Sequence, residues 1–290
     1  MNTHTLAPPT RGLLWMLAQA ASICAMITAV RYLSFYGYSG PQLVFFRGCM
    51  GLIVLLPWLV HSAIVHPKIF LPKPWNFVIY RTFLAVAGIF CWFFALTGIP
   101  ISDVVAIQFT HPLFVVIGAS LILRETVDFR RWCAVFLGFI GMLIIIRPGF
   151  LPLNLMVLAI LLSAFCNAGV QLITKHVAQD VSGPVLILYM NLLMAPTALY
   201  FAYPVWIWPE WYHWGGIFAV GLFGTTAHIF LARGLKIADA SLLGTVDFMR
   251  LPLAAVFGWV MFNEFSDIWT WFGATIIFFA VLVTVRRGVA

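Results

Sequence analysis

Three ionisable residues lie inside long apolar stretches, where charged side chains are rare. Asp247 and Arg250 are three residues apart in the stretch 240–262, so a helix would place both on one face. His111 lies about midway along another apolar stretch, 101–123. Charged side chains at membrane depth are costly and commonly functional. We interpret all three as substrate-binding candidates, with Asp247 also a coupling candidate. A purely structural Asp–Arg pair is the alternative.

Two further arginines extend this set of candidates. Arg47 lies about two turns into the stretch 41–62, and Arg81 about two turns into 75–97. If both point inward together with Arg250, guanidinium groups outnumber acids, which favours planar anions through paired hydrogen bonds. The resulting hypothesis is a substrate with at least one carboxylate. The alternative is that both side chains extend to the membrane surface.

Neutral side chains add weaker candidates. His228, in the stretch 212–234, could form a proton relay with Asp247, because histidine titrates near neutral pH. A hydrogen-bonded core histidine is the alternative. Asn191 and Trp92 are substrate-binding candidates that could instead pack helices together. Other polar residues that could line a cavity or join helices are Gln19, Gln108, Thr110, Asn167 and Gln171.

Two acidic residues are assigned a structural role. Glu125 and Glu264 close the fourth and ninth apolar stretches, where a helix dipole disfavours negative charge. Each therefore needs a partner, and we expect basic groups or backbone amides that begin the fifth and tenth stretches.

Composition defines the elements that must position these residues. The chain has 290 residues, of which 63% are hydrophobic and 9% charged, against about 25% charged in soluble domains. Its apolar residues form blocks long enough to cross a bilayer, which takes about 20 helical residues. The sequence predicts an all-α integral membrane protein with ten transmembrane helices, near 12–33, 41–62, 75–97, 101–123, 131–147, 153–175, 184–206, 212–234, 240–262 and 268–286.

Basic residues predict the orientation of these helices. With the N-terminus inside, eleven Lys and Arg residues fall in inner connections or termini and only two, Arg31 and Arg147, in outer ones. Basic residues near short loops stay cytoplasmic. We therefore expect a multi-pass protein of the inner (plasma) membrane with both termini in the cytoplasm.

An internal repeat divides the chain. The landmarks Trp75, Gly98 and Asp103 recur 136 residues later, whereas Glu125, Trp132, Arg147 and Gly149 recur 139 residues later. We predict two five-helix halves, 1–150 and 151–290, in inverted orientation. Such repeats place a substrate site near the midplane. At these two offsets, His111 corresponds to Asp247 and to Arg250, which points to a shared site.

The same landmarks carry a resemblance to a known family. Gly98-x-x-x-x-Asp103, His111-Pro112-Leu113-Phe114, Arg124-Glu125 and Arg147-Pro148-Gly149 resemble the EamA family of the drug/metabolite transporter superfamily. A looser version, Leu251-Pro252-Leu253 with Asn263-Glu264, follows in the second half. The resemblance spans essentially the whole chain. It implies a secondary carrier of small metabolites, commonly amino acids or related compounds, working by alternating access.

Other function classes are less compatible with the sequence. It contains no P-loop or common hydrolase pattern, and its five separated cysteines suggest no metal site. We expect no enzymatic activity, no cofactor and no nucleic-acid partner. The expected partners are a small organic anion or zwitterion, membrane lipid and protons for coupling; oligomeric state is left open. The alternative function is a lipid or lipid-phosphate flippase, with the arginines holding a headgroup.

Overall fold

The described part of the chain is built from α-helices. The computed structural model describes residues 8–96, 107–108, 110–146, 155–240, 243, 246–250 and the single positions 253, 260, 269, 272, 273, 275, 276 and 279. Within these residues no strand is found. The α-helices are α1 Pro8–Ser34, α2 Gly40–Val65, α3 Trp75–Leu96, α4 His111–Leu121, α5 Phe129–Ile146, α6 Leu155–His176, α7 Gly183–Ala202 and α8 Trp214–Ile237.

Six of the described helices are long and apolar enough to cross a membrane: α1, α2, α3, α6, α7 and α8. Two shorter apolar helical segments, His111–Leu121 and Trp132–Gly141, accompany them. The predicted all-α membrane fold is confirmed at this level. Part of the fourth and most of the ninth and tenth predicted stretches lie outside the described residues, so the count of ten helices stays a prediction.

α2 and α7 begin in the same way. Each starts with Ser-Gly-Pro, at Ser39-Gly40-Pro41 and Ser182-Gly183-Pro184, and both serines have extended backbone. Proline suits the first helical turn because its missing N–H would have no intrahelical partner there. The two helices occupy the second position of their respective predicted halves.

Helix pairing follows the pattern that two related halves would produce. α1 packs on α8, and α3 packs on α6. Exchanging the first helix of each half (α1 with α6) and the third (α3 with α8) converts one pair into the other. α2 packs on α7, which this exchange leaves unchanged. The pairing agrees with the predicted repeat, while the division at residue 150 stays a prediction.

Glycines allow α2 to approach α7 and α8 closely. A Cβ atom added to Gly221 of α8 would lie 2.2 Å from Met50 Cβ of α2. One added to Gly48 of α2 would lie 3.1 Å from Ala195 Cβ of α7. In lipid, small residues at such crossings permit the close packing that holds helices together.

An apolar cluster packs α1, α4, α6 and α8 together. Its fully buried members include Val115, Leu235 and Leu243, and Ala240 joins them just beyond α8. We refer to this group as the α1–α8 cluster: Leu13, Met16, Val115, Ala119, Ala168, Leu172, Leu231, Leu235, Ala238, Ala240, Leu243 and Val246.

The sequence predicts a single helix over 101–123, but the described part of this stretch is not one regular helix. Residues 107–108 are helical, a turn follows at Thr110, and α4 begins at His111. Pro112 explains the break, since it lacks an N–H and its ring clashes with the carbonyl four residues earlier. A corresponding irregularity precedes Pro252, where Asp247–Met249 forms a 3-10 turn.

We expect Gly221→Ala to destabilise the protein. The new methyl group has no room against Met50 Cβ, 2.2 Å away, and the Met50 backbone carbon, 2.8 Å away. Overpacking of this kind costs about 1–3 kcal/mol. Thermal unfolding in detergent should show a lower Tm than wild type. Gly215→Ala, in the same helix with no atom within 4 Å of the added Cβ, is the matched control. Equal Tm values for the two variants would contradict the predicted crowding.

Candidate functional site

A cavity of about 250 Å³ lies between the helices of the two predicted halves. Its walls come from α1, α2, α3, α6, α7 and α8 and from the segments around His111 and Asp247. The α8 lining residues lie between Val220 and Leu231. Most of the wall is apolar. The polar and charged residues that line it are Gln19, Arg47, Gln108, His111, Asn167, Gln171, His228, Asp247 and Arg250.

His111, Asp247 and Arg250 form one ionic cluster at this cavity. Asp247 Oδ1 lies 2.5 Å from Arg250 Nη2, and Asp247 Oδ2 lies 3.5 Å from His111 Nδ1. The Asp247 side chain is 3% exposed. A buried carboxylate requires such partners, because removal from water strongly disfavours an isolated charge. The structure thus brings together the three residues that the repeat offsets related.

Local backbone geometry explains how the cluster is assembled. Asp247 begins a 3-10 turn, in which side chains three residues apart eclipse one another. Asp247 and Arg250 are therefore brought to the same side. His111 begins α4 beside Pro112, at the break in the fourth stretch. Irregular backbone at membrane depth is tolerated where it is buried in protein or lines a cavity.

Arg47 lines the same cavity from α2. It is 9% exposed, and its Nη1 lies 3.1 Å from Met194 Sδ. Its Nε has no hydrogen-bond partner within the described part of the chain. A Cβ at Gly224 would lie 2.8 Å from that nitrogen, so glycine leaves room for the guanidinium. The side chain is buried in the bundle and does not extend to the membrane surface.

Arg81 and Asn191 do not line the cavity. Arg81 is 1% exposed, and its Nε donates to Thr174 Oγ1 at 2.8 Å and its Nη1 to the Leu186 carbonyl at 3.2 Å. These bonds hold it between α3, α6 and α7, and it does not extend to the membrane surface either. Asn191 is buried where α7 meets Gly51 of α2.

His228 and Trp92 both line the cavity. His228 Nδ1 lacks a partner among the residues that the structure describes. The described side-chain partners of Asp247 are Arg250 and His111, and a direct Asp247–His228 contact, as the relay hypothesis requires, is not seen among the described residues. Trp92 packs beside Val157 and Ile160.

Glu125 ties two segments together. Its Oε1 accepts a hydrogen bond from the Ala240 backbone N–H at 3.0 Å. A backbone amide is one of the kinds of partner that the sequence predicted, and this one begins the ninth stretch. Glu264 lies outside the described residues.

Some cavity residues were missed or only loosely identified by sequence reasoning. Cys24 of α1, which was not selected as a candidate, is not among the lining residues, but its Sγ lies 3.6 Å from the Arg250 carbonyl oxygen, next to the cluster. Gln19, Gln108, Asn167 and Gln171 were among several polar residues that could have joined helices instead. Their position in apolar stretches was the available signal, but it does not indicate which helix face points inward.

Comparison with solved structures supports the fold. A crystal structure of another protein, 16% identical in sequence, superposes with a TM-score of 0.80. The match covers 98% of this chain and 100% of that one. At this identity the likeness shows the fold alone.

Sequence relatives are transporters. A riboflavin transporter of Vibrio cholerae is 32% identical, the alignment covering 94% of this chain and 92% of the relative. A riboflavin transporter of Brucella anthropi is 32% identical over 87% and 89%. An S-adenosylmethionine uptake transporter of Rickettsia prowazekii is 29% identical over 93% and 91%. The EamA-like transporter family matches residues 10–147 and 154–286. The chain is therefore a multi-pass membrane protein that belongs to the EamA-like transporter family.

Proposed function

We propose that this protein is a secondary transporter that moves a small, neutral or anionic, ring-containing metabolite across the plasma membrane by alternating access. The observation that carries the proposal is the cavity in which His111, from one predicted half, meets Asp247 and Arg250, from the other. Inverted-repeat carriers bind substrate at such an interface and rock about it.

The ionic cluster suits the pivot of such a motion. It joins the two predicted halves at the level of the cavity, so the halves can tilt about it while either end opens. The two proline-associated breaks, before Pro112 and Pro252, lie next to it along the chain. We propose His111, Asp247 and Arg250 as the centre of the binding site, with Arg47 and Trp92 on its walls.

Cavity charge bears on the substrate. The described lining residues include two arginines, Arg47 and Arg250, and one acid, Asp247. Counted without the histidines, this is an excess of one positive charge, which disfavours a cation such as the sulfonium of S-adenosylmethionine. It accommodates a neutral solute and attracts a carboxylate. A substrate with at least one carboxylate, as the sequence predicts, is therefore compatible with the charge of the cavity.

The cavity walls bear on the shape of the substrate. Trp92 and apolar residues including Ile23, Val44 and Ile89 supply surface for a flat ring system. Riboflavin and S-adenosylmethionine, the molecules for which the relatives are named, each contain a fused heteroaromatic ring. Neither is a lipid, so the relatives give the flippase alternative no support.

We place both termini in the cytoplasm because of the distribution of Lys and Arg.

The substrate class can be tested by counterflow in proteoliposomes loaded with one solute at a time. We expect exchange of riboflavin or of a carboxylate with an aromatic ring, and at least fivefold weaker competition by S-adenosylmethionine, because of the excess positive charge. Empty liposomes control for leakage. Exchange of S-adenosylmethionine alone would contradict the charge preference, and flipping of labelled phospholipid without solute exchange would contradict the carrier proposal.

Asp247→Asn should reduce transport strongly. Removing the carboxylate leaves the Arg250 guanidinium without its charge partner, and breaking a buried pair costs about 3–5 kcal/mol. We expect the initial counterflow rate to fall roughly tenfold or more, with Asp247→Glu retaining part of it. Asp180→Asn, an exposed acid outside the cavity, is the matched control. Wild-type rates for folded Asp247→Asn protein would contradict the proposed pivot.

Arg47→Gln and Arg81→Gln should have different effects. Arg47 lines the cavity, so we expect its loss to weaken binding of carboxylate substrates about tenfold, the value of a charge-assisted hydrogen bond. Arg81 holds three helices through Thr174 and Leu186. We expect its loss to lower the Tm while leaving the affinity of the remaining folded protein within about twofold. Equilibrium binding and thermal unfolding, measured on both variants, separate these roles. Altered affinity in Arg81→Gln protein with unchanged Tm would reverse the assignment.

A further inference from the structure

Three glutamines that line the cavity have amide atoms that lack a hydrogen-bond partner among the described residues. These atoms are Gln19 Oε1 on α1, Gln108 Oε1 just before the break at Thr110, and Gln171 Nε2 on α6. No hydrogen-bond partner for them is found within the described part of the chain. Gln19 is 4% exposed and Gln171 3% exposed, so neither reaches bulk water outside the protein.

Such a set is unusual because buried amides are normally paired. Leaving a buried donor or acceptor unsatisfied incurs its full desolvation cost. In a cavity, water can satisfy such groups until a ligand replaces it, and the ligand must then reproduce the lost hydrogen bonds. The free atoms include acceptors (Gln19 and Gln108) and a donor (Gln171). Rotation about the soft terminal torsion of glutamine can turn either amide atom toward a ligand.

We infer that Gln19, Gln108 and Gln171 form a neutral subsite for the imide edge of a heterocycle, in which an N–H lies between carbonyl groups. The inference rests on the proposed transport function and specifies the substrate class of the same cavity. An imide has one N–H between two carbonyl groups, so its N–H can donate to one free glutamine oxygen and one carbonyl can accept from Gln171 Nε2. The amide of the remaining glutamine then turns its NH2 group toward the other carbonyl. The pyrimidinedione ring of a flavin is one such edge, and uracil-like rings are others.

The subsite is distinct from the ionic cluster. The glutamine amides carry no charge, so they discriminate between ligands by hydrogen-bonding pattern, whereas Asp247 and Arg250 discriminate by the charge of the ligand. Gln19 and Gln108 belong to the first predicted half and Gln171 to the second. One imide bonded to both sets would therefore connect the two halves, and substrate recognition would be linked to the relative position of the halves.

Binding of riboflavin and 3-methylriboflavin to purified full-length protein tests the subsite. The methyl group removes the imide N–H and leaves the ring and its side chain intact. Wild-type protein should bind riboflavin about tenfold more tightly, since the missing donor leaves a glutamine acceptor unpaired. Gln19→Met and Gln171→Met keep side-chain length without hydrogen-bonding groups. Each should weaken riboflavin binding about tenfold, and Gln19→Met should bring the two ligands to within about twofold of each other.

Gln179→Met is the matched control, because Gln179 is exposed and donates to the Lys236 carbonyl outside the cavity. It should keep the wild-type preference. Equal binding of the two ligands by wild type, an undiminished preference in Gln19→Met protein, or no riboflavin binding would each overturn the inference. The proposed transport function would survive any of these results if other solutes still exchange in counterflow, and it fails separately if none does.

Discussion

The need to neutralise one buried carboxylate constrains the centre of this protein. Asp247 is almost fully enclosed, so its charge must be balanced by groups that the fold brings to it. Arg250 balances this charge from the same turn, and His111 contacts the other carboxylate oxygen from across the interface. This requirement brings the start of α4 to the 3-10 turn at Asp247. The cavity lies beside the resulting cluster.

Glycines at the crossing of α2 and α8 leave space for a second cationic side chain, that of Arg47, at the cavity. Gly221 and Gly224 of α8 face Met50 and Arg47 of α2. A Cβ at Gly221 would press on the Met50 backbone and push the helices apart, whereas one at Gly224 would displace the Arg47 side chain. The same glycines thus contribute to stability and to the position of Arg47. A substitution at this crossing would therefore affect packing and the cavity together.

Some of this arrangement is readable from the sequence. Apolar block length and the distribution of basic residues predict a helical membrane protein, and the repeat offsets relate His111 to Asp247 and Arg250. These signals work because lipid imposes helices and because duplicated halves preserve spacing. They do not separate Arg47 from Arg81, both of which lie about two turns into apolar helices. That distinction depends on helix rotation, which neighbouring helices determine, so only the structure shows Arg47 at the cavity and Arg81 bonded to Thr174.

The break before α4 shows a similar limit. The stretch 101–123 is predominantly apolar along its length, and Pro112 alone does not show whether the helix kinks, ends or begins again there. Tertiary contacts decide among these outcomes by satisfying the freed backbone groups. In the structure the Thr110 hydroxyl donates to the Ile107 carbonyl at 2.7 Å, within the turn itself. Glu125 illustrates the same point, since its need for a partner was predictable but Ala240 was not.

The α1–α8 cluster has a thermodynamic consequence for a carrier of the proposed kind. Exposing buried apolar surface to water costs about 25 cal/mol of free energy per Å². If the helices that share the cluster separate to admit water, the free-energy difference between the two access states depends on this apolar area. That difference sets the resting population of each state, and hence the fraction of proteins ready to bind from either side. Two carriers with identical cavities could therefore differ in transport rate solely because residues such as Val115 and Leu243 differ.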